Sequence, residues 1–219
     1  LIGKKAMELI AAVKKQKAAV GNFNNLDSIV GWYTEEGFRL DTIHRELDKN
    51  MAELIDVSVS LKDVHKCAVS AYLQLTEDVQ KHFLDKIEKD GLASLSIQRN
   101  IQLFDEKVQP KVKAAKRTVY FLADALRYEL ASQLKDRLER ASFDTELTPS
   151  LAFSPTVTKY AMAALMPKAA ANLSLGVKGG KLEPFLADVE SGTREARMKY
   201  ALGVLGDKAS WSWEKDVLA

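Results

Sequence analysis

The sequence predicts a helical amino-terminal half followed by an α/β domain with a parallel sheet. Three observations predict it. Apolar residues recur at helical spacing as far as about residue 112. The pattern then changes to a short unbroken apolar run, Val119-Tyr120-Phe121-Leu122-Ala123. Beyond it, extended and helical patterns alternate, which is the grammar of parallel α/β sheets.

The helical half rests on four apolar sets. Leu26, Ile29, Val30 and Tyr33 follow i, i+3, i+4, i+7. Leu47, Met51, Leu54 and Ile55 recur at steps of four, three and one, and Val79, Phe83, Leu84 and Ile87 at four, one and three, which are also helical spacings. Ile97, Ile101, Phe104 and Val108 make the last set. Each places apolar side chains on one stripe and charge on the other face. Gly37 and Gly91 read as breaks between helices, and Pro110 as the close of the last one. An antiparallel bundle or a stack of helix pairs is expected over residues 1–112, without a regular repeat.

The second half, residues 113–219, is reached through a basic connector, Lys111, Lys113, Lys116 and Arg117. The run 119–123 has the mark of a strand buried on both faces and ends at Asp124. Leu126, Leu130, Leu134 and Leu138 then recur every four residues as a helix. A second extended stretch spans Phe143 to Phe153. After Ser154-Pro155-Thr156-Val157-Thr158, a helix is expected through Ala161, Met162, Leu165 and Met166. Gly179-Gly180 suits a hairpin turn between Leu175-Gly176-Val177 and Lys181-Leu182. Met198, Ala201, Leu202 and Leu205 predict one more short helix. Trp211 and Trp213 are read as covering a core edge.

Composition narrows the function classes. With 32 basic and 30 acidic residues the net charge is +2, which predicts no strong general attraction to nucleic acid or anionic membranes. No apolar run approaches the roughly 20 residues of a membrane span. Cys67 is the only cysteine, so no intrachain disulfide forms and a reducing, cytoplasmic setting is expected. It reads as a packed or inert thiol. The chain starts at Leu1 without a signal-peptide pattern, so an excerpt of a longer protein is expected. His44, His65 and His82 all lie in the first half, none in a His-x-x-x-His spacing, and read as solvent-facing or capped. No glycine-rich phosphate loop supports a nucleotide-binding reading.

Ligands of open α/β sheets gather at the carboxyl ends of strands. Asp124 stands at such an end, where a carboxylate can hold a divalent cation. Thr158 opens a helix, where free N–H groups would favour a phosphate. Both are equally ordinary as helix N-caps. Arg127 could contact a phosphate or be a surface charge.

Two segments carry a resemblance. Val119 to Glu129 reads VYFLADALRYE, and Pro155 to Pro167 reads PTVTKYAMAALMP. In this order they resemble the PglZ family, whose domain belongs to the alkaline phosphatase superfamily. Gly192-Thr193-Arg194-Glu195 is also similar. Gly31-Trp32-Tyr33 and its helical surroundings resemble the region preceding that domain in the BREX phage-defence form. The resemblance implies the start of an alkaline-phosphatase-like parallel-sheet domain, and a metal-dependent phosphohydrolase or phosphodiesterase activity. It implies Asp124 as a metal ligand and Thr158 as nucleophile and metal ligand, with Thr156 the runner-up. Thr158 is preferred because Ala161-Met162 follows it as Ala-His or Asn-His follows the superfamily nucleophile; Met162 cannot supply a histidine's chemistry. Arg127 would bind substrate.

The implied chemistry uses two metals, usually zinc, and a covalent phospho-threonine cleared by water. No histidine follows His82. The chain as it stands is therefore expected neither to hold zinc or another divalent metal tightly nor to hydrolyse phosphoesters. Partners implied are other BREX proteins and nucleic acid. The alternative reading is an interaction or scaffold module, with the helical half docking other defence components.

Overall fold

The computed structural model describes residues 2–54, 58–114 and 117–212. Ile55, Lys116 and Trp213 lie outside them. In chain order the helices are α1 (Ile2–Val20), α2 (Leu26–Trp32), α3 (Phe38–Ala52), α4 (Val59–Asp90), α5 (Asn100–Leu103), α6 (Gln109–Lys113), α7 (Tyr128–Arg140), α8 (Thr158–Ala161) and α9 (Ala169–Asn172). The strands β1 (Leu173–Lys178), β2 (Lys181–Leu186) and β3 (Val189–Glu190) follow, and then α10 (Arg194–Leu205). No helix among the described residues is long and apolar enough to cross a membrane.

The expected division at 112/113 follows the change of sequence pattern, but the compact units are interleaved. One comprises residues 1–96 and 126–149, the other 97–125 and 150–219. The chain leaves the helical unit after α4 and returns to it for α7.

The helical unit is organised by α1. Its buried residues Ile2, Ala6, Leu9, Val13, Gln16 and Val20 alternate steps of four and three, which keeps one seam inward. That seam packs with Leu40 and Leu47 of α3 and with Ala68 and Leu75 of α4, each pair seven residues apart. Ser58 starts α4 by accepting from the Leu61 amide at 3.3 Å. Gly91 stops it with φ of 71°, a conformation a glycine adopts without Cβ strain. The predicted break at Gly91 is therefore real.

Gly37 is not a break. One π-helical turn, Tyr33–Gly37, joins α2 to α3 without interruption. The glycine is there because the Trp32 ring lies over it: a Cβ would stand 2.7 Å from Trp32 Cζ3. Trp32 Nε1 in turn donates to the buried Gln16 Oε1 at 2.9 Å. Gly37→Ala is expected to lever the indole off this bond and cost about 1–3 kcal/mol in a urea unfolding measurement. An unchanged midpoint would contradict the packing argument.

A second polar knot ties α3 to α4. Asp41 accepts from the Tyr33 hydroxyl at 2.6 Å and from the Tyr72 hydroxyl at 2.8 Å. Burial first, and then these bonds, push both tyrosines well above the usual phenol range. The unfolded chain ionises at the ordinary value of about 10. The two tyrosines thus add stability below that pH, and it is lost as pH rises towards the folded values. Alkaline titration followed by tyrosinate absorbance should show Tyr33→Phe and Tyr72→Phe removing a late-titrating component. If that component survives both changes, the knot is not its source.

The histidines are half-buried with partners, not solvent-facing. His44 stacks on Tyr72 at 4.2 Å, and His65 Nε2 lies 2.8 Å from Asp48 Oδ1. His82 meets Phe23 edge-on at 6.1 Å. Cys67 is exposed and not packed.

In the second unit, α5 and α6 also run as one helix, joined by a π turn at Phe104–Val108. Pro110 sits in the first turn of α6 and does not close a helix. Proline lacks an N–H and crowds the carbonyl of i−4, and the widened π turn just before it accommodates both. The ladder of this unit is a three-stranded antiparallel sheet in the order β1-β2-β3. Gly179 and Gly180, with φ of 58° and 74°, make the predicted hairpin turn. Helix α10 bears out the last predicted helix, and Thr193 caps it by accepting from the Ala196 amide at 3.2 Å. Trp211 is 42% exposed, too open for the core cover expected of it.

The predicted parallel sheet is not formed among the described residues. Residues 119–123 make no ladder there, and the stretch 143–153 makes a single parallel bridge, Leu151 to Arg99. Val119 and Phe121 are 70% and 75% exposed, while Leu122 packs against the cluster of Met166, Ala169 and Leu186. Tyr120 meets Phe104 edge-on at 5.6 Å and donates to the Leu165 carbonyl at 3.3 Å. Burial pushes its hydroxyl up to about 12. The run is therefore apolar on both faces but buried on one.

Candidate active site

Asp124 ends the extended run and is exposed. Its Oδ1 accepts from the next amide, Ala125 N, at 2.9 Å. Ala125 has φ of 52°, the left-handed region that a residue with a Cβ enters at a cost. Strain of this kind persists where surrounding structure enforces it, often at functional sites. The turn aims the carboxylate at Thr158. Thr158 Oγ1 donates to Asp124 Oδ2 at 3.1 Å and stands 3.4 Å from Oδ1. Two residues 34 positions apart thus form one hydroxyl–carboxylate pair.

The capping readings fall away for both. Helix α7 starts at Tyr128 with Arg127 as its N-cap, so Asp124 caps nothing. Thr158 is the first residue of α8, whose N-cap is Val157. Helix α8 is one turn long, so the expected helix-dipole help for a phosphate at Thr158 has little basis. Thr156 is exposed and makes no described side-chain bond.

Arg127 falls in the helical unit. Its Nη2 stands 2.6 Å from Glu129 Oε1, with the arginine side chain 61% exposed and the glutamate fully buried. The contact is an ion pair by distance but is not aligned as a hydrogen bond, and both Glu129 oxygens lack one. Sequence reasoning passed over Glu129. It lies in the first turn of α7 and is the buried residue of that helix.

Behind Thr158, Lys159 pairs with Glu183 at 2.6 Å and donates to the Leu182 carbonyl at 2.9 Å. The Tyr160 hydroxyl donates to the same carbonyl at 3.0 Å. These bonds fasten α8 to β2. Arg197 is buried beneath the loop that precedes α10. Neither Lys159, Glu183 nor Arg197 was singled out from sequence, because nothing in linear spacing links them.

The donors at the site are one carboxylate and one hydroxyl. Zinc takes about four ligands, drawn from imidazole, thiolate and carboxylate groups. No group of three or more His, Cys, Asp or Glu side chains among the described residues could hold a metal ion. Asp124 and Thr158 by themselves do not constitute a zinc site.

Thr158 and Asp124 thus form one exposed hydroxyl–carboxylate pair within the second unit. Residues 103–199, which include both partners, match the family described as the BREX system PglZ alkaline phosphatase-like domain. Over these residues the chain is similar to the alkaline phosphatase-like domain of the PglZ family of the BREX system. The chain is also 28% identical over 162 residues to the alkaline phosphatase-like protein BrxZ of Escherichia coli O9:H4 (strain HS). That similarity covers 68% of this chain and 18% of the relative. No solved structure matches the chain.

Proposed function

We propose that this chain contributes part of the active site of a PglZ-type phosphohydrolase or phosphodiesterase acting in BREX phage defence. The observation that carries the reading is the Thr158–Asp124 pair inside the family-matched segment. Thr158 Oγ forms the bond to phosphorus as the bond to the ester oxygen breaks. Asp124, already the acceptor of its hydrogen bond, is nearest to take the hydroxyl proton. The departing alkoxide gains a proton from solvent and Asp124 returns its own to solvent; water later cleaves the threonine adduct, releasing phosphate from a monoester or a phosphate monoester from a diester, and restores the hydroxyl. Thr156 is the second choice for this role, without a described acceptor for its proton.

Metal dependence belongs to the same proposal. Asp124 and Thr158 would be two ligands of a zinc or other divalent ion, which would supply charge for the phosphoryl oxygens. The parallel sheet also belongs here, with 119–123 as one of its strands in the longer protein. Partners would be other BREX proteins and nucleic acid, in the cytoplasm. Arg127 is kept as a substrate contact.

This chain by itself is expected to bind no zinc tightly and to leave a chromogenic phosphodiester intact. Metal content after dialysis and turnover, with Thr158→Ala as control, test that. Robust zinc-dependent turnover that disappears in Thr158→Ala would overturn the expected inactivity and strengthen the assignment of Thr158.

One observation favours the second reading, an interaction module. Helix α4 leaves Val59, Val64, Leu73 and Leu84 exposed. Docking through this helix predicts that Leu73→Glu with Leu84→Glu abolishes co-purification of BREX proteins with the longer protein. Undiminished co-purification counts against it.

A further inference from the structure

We propose that Arg197 is a positioning residue for Thr158, acting through Gly192 and the Lys159–Glu183 ion pair; this rests on reading Thr158 as the reacting hydroxyl. Arg197 is only 6% exposed. Its Nη1 donates to the carbonyls of Ser191 at 3.1 Å and of Gly192 at 3.0 Å. Ser191 is fully buried, and both its amide and its hydroxyl donate to the Pro184 carbonyl of β2, at 2.8 and 3.1 Å. The Ser191–Gly192 turn is thus held from two sides.

Gly192 brings that turn against the pair behind Thr158. A Cβ there would stand 2.9 Å from Glu183 Oε2 and 3.4 Å from Lys159 Cε. The glycine thus leaves room for the Glu183 carboxylate beside the turn, and Glu183 pairs with Lys159 at 2.6 Å. Lys159 follows Thr158 directly and also donates to the Leu182 carbonyl at 2.9 Å, so the pair ties the start of α8 to β2. The route runs from Arg197 through the turn and this pair to the start of the helix that bears the hydroxyl.

The choice of arginine is informative. Two carbonyls can be held by a neutral amide, whereas a buried guanidinium carries a desolvation cost that an amide avoids. Burial lowers the Arg197 pKa, and the Glu195 carboxylate is the first of the charges that oppose this lowering, with Asp124 a lesser one. The guanidinium is tied to the turn by its two hydrogen bonds, and Thr158 is reached through that turn.

The test uses this chain with threonine methyls labelled for NMR. Asp124→Asn sets the displacement of the Thr158 methyl signal when its charged acceptor is lost. Arg197→Gln keeps a donor and removes the charge. It should move the Thr158 signal by roughly half that displacement or more, and Arg197→Lys by less. An unmoved Thr158 signal with a moved Thr193 signal would show that Arg197 merely anchors the turn, and overturns the proposal. Should Arg197→Gln fail to fold, Glu183→Gln and Gly192→Ala interrupt the same route further on. Both must move the Thr158 signal, and no displacement in either is equally fatal. Turnover of the longer protein with Thr158→Ala is a separate readout. If turnover is unimpaired while the signals remain coupled, the role of Thr158 fails and the coupling stands.

Discussion

Thr158→Ala in the longer protein is expected to lower phosphoester turnover by about a thousandfold or more, because residues acting as one nucleophilic unit fail together. Binding should change little, since the lost group is a small exposed hydroxyl. Asp124→Asn keeps the shape and removes the charge, and should cost about a hundredfold or more. The double variant should be scarcely worse than Thr158→Ala, because the carboxylate acts through the hydroxyl at 3.1 Å. Thr156→Ala should be close to wild type. Steady-state kinetics on the four variants distinguish a shared role from two independent ones, since independent effects would add.

The second large effect is on stability. Glu129 is a fully buried carboxylate whose charged neighbour at ion-pair distance, among the described residues, is Arg127. Removing the arginine leaves that charge uncompensated. Arg127→Ala should therefore cost about 2–3 kcal/mol, less than for a fully buried pair because the guanidinium is mostly in solvent. Glu129→Met in the same chain should recover most of the loss, since an apolar side chain of similar volume needs no partner. Urea unfolding of the single and double variants measures both. If Arg127→Ala is neutral and the double variant is not better, Glu129 has another source of compensation. Such an outcome would leave Arg127 freer to contact substrate.

The sequence was most legible where one local rule decided the outcome. The glycine pair at 179–180 turns a hairpin whatever surrounds it, and Gly91 ends α4 for the same local reason. It was least legible where a tertiary contact overrode the local rule. Gly37 reads as a break, yet it serves the close approach of the Trp32 ring. Pro110 reads as a stop, yet a π turn makes room for it. Residues 119–123 read as a strand covered on both faces, yet alternate side chains face outward. Leu126 fits the four-residue period of α7 but precedes its first turn.

The site divides in the same way. Asp124 and Thr158 were legible one at a time, as polar residues at a strand end and a helix start, with capping as the alternative; only the resemblance put them together, since 34 residues of separation carry no pattern linking them. The structure removes the capping alternative for both. The supporting residues Lys159, Glu183, Gly192 and Arg197 are brought together by the turn before α10, and no spacing announces them. Glu129 left no trace either, because it lies off the leucine stripe of the expected helix, two of whose members, Leu126 and Leu134, are exposed.

The most direct measurement is mass spectrometry of the longer protein, acid-quenched during turnover of a phosphodiester. A phosphoryl or phosphodiester adduct on Thr158, absent from Thr158→Ala, is the predicted result. An adduct on Thr156, or steady turnover with Thr158 unmodified and its alanine variant fully active, would contradict it.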